Sequence, residues 1–172
     1  MNSKYLQSNF NFYVEHEHFF STDVEKVWKV METPSNLELF HPFCLKNPVL
    51  KWGNETAIDQ IVYLNGVTLK RQFCSWEINK GYDLFIGRVG GRKSFVSWKL
   101  NILSANKCKL TIKIYPHFLN QGNKWVQAPF FFIIIYPKLN AYLKSVLQGL
   151  SWYIKYKKPI KKNKFGSHDW FS

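Results

Sequence analysis

A chain of 172 residues, 46% hydrophobic and 18% aromatic, is the size of one ordinary domain and can build a real core, which excludes a disordered or low-complexity protein. Its net charge of +13 rests on lysine: of 24 basic residues only Arg71, Arg88 and Arg92 are arginine, so a specific nucleic-acid reader is not expected. The three cysteines, Cys44, Cys74 and Cys108, are widely spaced with no CxxC, which argues against a disulfide framework or a zinc ribbon.

The opening residues, Met1 to Tyr5, contain no apolar signal core, and the longest apolar run, Phe130 to Tyr136, falls short of the ~20 residues that span a bilayer. A protein of a reducing cytoplasm is expected. Residues 1–11 read as a polar lead, 12–158 as the folded domain and 159–172 as a basic, aromatic tail. Phe12 to Phe20 alternates as a strand, with Phe12, Val14, His16, His18 and Phe20 on one face. Thr22 and Glu25 have capping-box spacing, and Val24, Val27, Trp28 and Met31 behind them predict a short amphipathic helix ended by Pro34. Ser35 is placed to cap a second short helix through Leu37 to Phe40.

From Lys46 the period becomes two. Lys46 to Lys51 predicts one short strand. Ala57–Leu64 and Val67–Ile78 flank Asn65-Gly66, a type I′ hairpin signal that would pair Val62 with Leu69, Gln60 with Arg71 and Ile58 with Phe73. Tyr82 to Val89 follows, and Gly90-Gly91 turns the chain into Lys93 to Leu103 with the register open. A three-residue loop, Ser104-Ala105-Asn106 with Asn106 left-handed, brings the apolar face of Val96, Trp98, Leu100 and Ile102 together with that of Cys108, Leu110, Ile112 and Ile114. Residues 117–128 read as a polar connection. After Pro129 comes a long helix with Leu139, Tyr142, Leu143, Val146, Leu150 and Tyr153 at spacings of three and four, stopped by Pro159.

Strands and helices are segregated, so the fold class is α+β: a curved antiparallel sheet of about seven strands wrapped around a long C-terminal helix, with two short helices after the first strand. In this order of elements, in Phe19-Phe20-Ser21-Thr22-Asp23-Val24-Glu25-Lys26-Val27-Trp28, in Pro34-Ser35-Asn36-Leu37 and in Tyr142-Leu143, the chain resembles the START-like superfamily of helix-grip proteins. This superfamily, also called SRPBCC, includes Bet v 1-like carriers and polyketide cyclases. The resemblance runs from about residue 12 to 158 and implies an apolar cavity between sheet and helix, without implying a catalytic residue.

Cavity lining is expected from Phe43, Leu69, Phe73, Trp98, Leu100, Ile112, Tyr142, Val146 and Leu150. Gln60 and Arg71, with Arg88 further on, are the candidate polar ligand contacts, because a charged residue on an apolar face is costly unless paired. His41 is the acid/base candidate, and His16 with His18 could bind a metal only with a third ligand that the sequence does not offer. No nucleophile elbow or phosphate-binding glycine loop is present, so no cofactor and no metal are expected. The expected partner is a hydrophobic small molecule such as a lipid, isoprenoid or polyketide. A cyclase- or dehydratase-like activity is one alternative. The other is contact with an anionic membrane or RNA through Lys155, Lys157, Lys158, Lys161, Lys162 and Lys164, against which stands docking of Phe165, Trp170 and Phe171 back onto the domain.

Overall fold

The computed structural model of the chain describes residues 10–119 and 123–172. Most of the expected polar lead, and residues 120–122 of the expected connection, lie outside the described residues. One antiparallel sheet holds the strands β1 (Val14–Phe20), β2 (Cys44–Lys46), β3 (Val49–Lys51), β4 (Ile58–Tyr63), β5 (Thr68–Glu77), β6 (Gly81–Gly87), β7 (Lys93–Ser104) and β8 (Lys107–Tyr115). Their order is β1-β8-β7-β6-β5-β4-β2, with β3 paired to β4 off this path. The helices are α1 (Val24–Met31), α2 (Leu37–Phe40), α3 (Lys124–Phe130) and α4 (Tyr136–Tyr156), the last two joined by a π-helical turn, Phe131–Ile135.

Several sequence expectations shift by a residue or more, each for a local reason. Asp23, not Thr22, caps α1: its carboxylate accepts the Lys26 N–H at 2.8 Å. Ser35 does not cap α2. The Leu37 N–H is met instead by the Asn47 side chain at 3.3 Å, reaching across from the segment between β2 and β3. That same Asn47-Pro48 pair divides the expected Lys46–Lys51 strand in two.

The Asn65-Gly66 hairpin closes as a three-residue loop. Only Gly66 is left-handed, at φ +82°, the Asn65 side chain accepts the Val67 N–H, and the Tyr63 N–H donates to Val67 O at 2.8 Å. Every pair therefore slips by one, so that Arg71 faces Asp59, Gln60 faces Lys70 and Ile61 faces Leu69. The slip turns Asp59, Ile61 and Tyr63 inward and Gln60 outward. It also gives a buried arginine a carboxylate, which Gln60 could not supply. The β7–β8 pairing matches expectation, with Leu100 opposite Leu110, but the turn uses a bulge near Ser104 and Asn106 does not take a left-handed φ. At Gly90-Gly91 the register is regular, with Gly87 opposite Lys93 and Leu84 opposite Val96.

The long helix begins earlier than Pro129. Asn123 caps α3 by accepting the Trp125 N–H at 2.9 Å, and Pro129 lies inside that helix. Pro137, in the first turn of α4, would press its ring on the carbonyl four residues back. The preceding π turn, where the Tyr136 N–H reaches Phe131 O, widens the helix there and relieves that crowding.

Gly149 lets α4 close onto α2: a Cβ built there would stand 1.9 Å from Phe40 O. In an open helix Gly→Ala stabilises by about 1 kcal/mol. Here Gly149→Ala is expected to destabilise by about 1–3 kcal/mol in urea unfolding, because a backbone carbonyl cannot move aside without displacing α2.

The tail packs back on the domain. The Ile160 N–H donates to Leu39 O at 2.9 Å and the Asn163 N–H to Pro42 O at 3.0 Å, with Ile160 and His168 buried. Lys162 donates to Cys44 O, and Lys164 lies over the Trp152 ring, so two of the tail lysines are engaged with the protein.

Candidate functional site

A cavity of about 420 Å³ lies between the inner sheet face and α4. Period-two alternation directs one face of β4 to β8 into it, including Leu69, Arg71, Trp98 and Ile112, and three-four spacing supplies Tyr142 and Val146 from α4. Arg88 lines its more exposed end together with Ser94, His117, Trp170 and Phe171. The other expected lining residues are placed elsewhere. Leu100 and Leu150 are buried core, beyond the point where Gly149 brings α4 down onto α2. Phe73 is held among the rings of Trp52, Trp76 and Tyr82. Phe43 stacks behind Tyr142 at 5.9 Å, and Gln60 faces outward.

Arg71 and Asp59 form a buried bidentate pair, Nε to Oδ1 at 2.6 Å with Nη2 on Oδ2. The Asn47 amide donates to the same carboxylate at 3.0 Å. Burial works against the charged guanidinium, but the Asp59 carboxylate outweighs it and raises the Arg71 pKa. The pair is neutral overall, so Arg71 offers the cavity directional N–H groups more than net charge.

Beside it, His41, Tyr142 and Tyr63 form a chain. The Phe43 N–H donates to His41 Nδ1 at 3.2 Å, which puts the imidazole hydrogen on Nε2, donating to Tyr142 Oη at 2.9 Å. Burial, reinforced by Arg71 and Lys162, lowers the His41 pKa to about 3. Burial also raises the Tyr142 phenol to about 12 and Tyr63 well above its usual range. All three are therefore neutral near pH 7. The two phenol oxygens lie 3.0 Å apart and share one of their two hydrogens. The other has no acceptor among the described residues and belongs to a group that lines the cavity. With both imidazole nitrogens engaged, His41 orients Tyr142 and has no free position from which to move a proton.

Phe171 closes one side, stacked on Tyr63 at 4.4 Å and tilted on Tyr142 at 4.7 Å. It is held by His168, which bonds Lys138 O at 3.0 Å, and by the Asp169–Lys138 ion pair. Sequence reasoning missed Asp59, Tyr63 and the Ser94–His117 pair; a hairpin register one residue lower would have found the first two. His16, expected to share a strand face with His18, bonds Asn140 of α4 at 3.0 Å, and His18 packs on Phe20.

No protein-family model and no curated protein sequence matches the chain. Solved structures do. DynU16, from the dynemicin biosynthetic locus, superposes with a TM-score of 0.64 at 16% identity over 86% of this chain and 48% of its own. The chain thus spans about half the length of DynU16. CalU16 from Micromonospora echinospora gives 0.58 at 10% identity over 84% of this chain and 77% of its own, and Ara h 8.0201 gives 0.55 at 13% over 84% and 97%. This chain has the Bet v 1-like helix-grip fold. The likeness lies in the curled sheet closing on a long helix, and identities this low extend it to the fold alone.

Proposed function

We propose that this helix-grip protein binds a hydrophobic small molecule that carries at least one acceptor oxygen, holding it in the cavity between sheet and α4. The observation that carries this reading is an apolar cavity of about 420 Å³ bordered by a phenol hydrogen without an acceptor among the described residues. That volume falls in the range of roughly 300–1,000 Å³ that takes compact organic ligands. Burial at about 25 cal/mol per Å² of apolar surface supplies most of the affinity. The Tyr63–Tyr142 pair fixes orientation by donating to a carbonyl, phenol or carboxylate oxygen. A lipid, isoprenoid or polyketide-like compound meets both needs. The commitment of His41 and the neutral Arg71–Asp59 pair favour binding over acid/base turnover.

Titration with an apolar fluorescent naphthalene probe tests this. Val146→Trp fills the cavity and is expected to weaken probe binding at least about tenfold. Tyr142→Phe is expected to weaken ligands with an acceptor oxygen by about five- to tenfold while leaving their hydrocarbon analogues unchanged. Equal binding by wild type and Val146→Trp would place the probe outside the cavity.

A further inference from the structure

The helical rod from Lys124 to Tyr156 is long and apolar enough by composition to cross a membrane, yet its two halves are used differently. Along α4 the apolar stripe is buried against the sheet. Along α3 and the π turn only Phe131 and Ile135 are buried. Trp125 is 85% exposed, Val126 76% and Ile133 74%, and Phe130, Phe132 and Ile134 are exposed with them. A contiguous patch of large apolar side chains around a helix is costly in water and marks a contact surface.

Charge selects the occupant. From Leu84 to His168 every charged side chain is lysine or arginine, and the carboxylate that the tail brings to the rod, Asp169, meets it at Lys138. Lys124 opens the rod and Lys144 follows the patch, while Lys138 between them is paired with Asp169 of the tail. Glu15, the carboxylate of the groove beside α3, is held by Lys113 at 2.7 Å. A soluble partner matched to this rod would need an apolar face rimmed with acid. An anionic bilayer supplies both at once, with acyl chains for the aromatic and branched side chains and headgroups for the lysines. The patch is also strung between Phe118 and Leu139, which both line the cavity.

We infer that α3 and the π turn form a membrane-docking surface that seats Trp125, Phe130 and Ile133 in the headgroup region of an anionic bilayer, next to the cavity. The lysine-rich far end of the rod sits elsewhere: Lys155, in the last turn of α4, is about 45 Å along the helix axis from Trp125, at about 1.5 Å rise per residue. The inference does not depend on what the cavity holds.

The test is co-sedimentation of the full chain with vesicles of phosphatidylcholine alone or mixed with phosphatidylglycerol, followed by Trp fluorescence. Wild type is expected to bind the mixed vesicles, more weakly as salt rises, with a blue shift. The Trp125→Ser/Ile133→Ser double variant is expected to bind at least about tenfold more weakly. Both residues are exposed, so its unfolding midpoint and naphthalene-probe affinity should match wild type, which separates a docking defect from loss of the fold or of the cavity. Lys161→Ala/Lys164→Ala is expected to retain binding. Three results would overturn the inference: no preference for anionic vesicles, binding that survives the double variant, or a wild-type dimer in sedimentation velocity that the double variant abolishes, which would assign the patch to a second copy of this chain.

Discussion

Arg71→Met is expected to destabilise the fold by about 3–5 kcal/mol, read as a lowered urea midpoint. The guanidinium and carboxylate side chains are 4% and 0% exposed, so removing the cation strands the Asp59 charge away from water, with the Asn47 amide as its remaining side-chain donor among the described residues. The cost is that of the orphaned charge more than of the lost bond. Asp59→Leu combined with Arg71→Met should therefore recover most of the loss, because two apolar side chains leave nothing unpaired. If the double variant is as unstable as the single one, the account of the pair is wrong. The double variant also separates stability from recognition: restored folding with weakened binding would show that the Arg71 N–H groups reach the ligand.

Acidification is expected to remove the next largest increment, through His41. In the folded chain its pKa is lowered from 6.5 to about 3, by burial first and by Arg71 and Lys162 after it. Between these values the unfolded chain takes up a proton that the folded chain refuses, so unfolding becomes more favourable as pH falls. The contribution is fully present above about 6.5 and shrinks at about 1.4 kcal/mol per pH unit down to about 3. His41→Phe lacks this titration. It is expected to be the less stable protein at neutral pH, where Tyr142 loses its donor, and to approach or overtake wild type in denaturant melts under increasing acid. Parallel pH profiles for the two proteins would contradict the assignment.

Much of this architecture was legible because hydrophobic periodicity is set by burial, and burial is what the fold exploits. The spacing of Leu139, Tyr142, Leu143 and Val146 marked the helix face that meets the cavity, and alternation around Trp98 and Ile112 marked the sheet face opposite. Asn65-Gly66 located its hairpin but not its register, since the Asn65 side chain and one left-handed glycine suffice for a loop one residue longer. That single residue decided the site: it turned Gln60 out and brought in Asp59 and Tyr63. An aspartate alternating with apolar neighbours reads as solvent-facing until its arginine is known to stand opposite. The closed end of the cavity was equally hidden, because Gly149 acts through the absence of a side chain. Pro129 read as a boundary because neither the Asn123 cap that starts the helix before it nor the π turn that carries the rod on past it has a periodic signature.

Whether the cavity under α4 holds a hydrophobic small molecule is decided by native mass spectrometry of the purified full chain, followed by denaturing extraction. The expected result is a bound compound, apolar over most of its surface and bearing an acceptor oxygen, that Val146→Trp fails to retain. A chain that emerges empty and also excludes apolar naphthalene probes would contradict it.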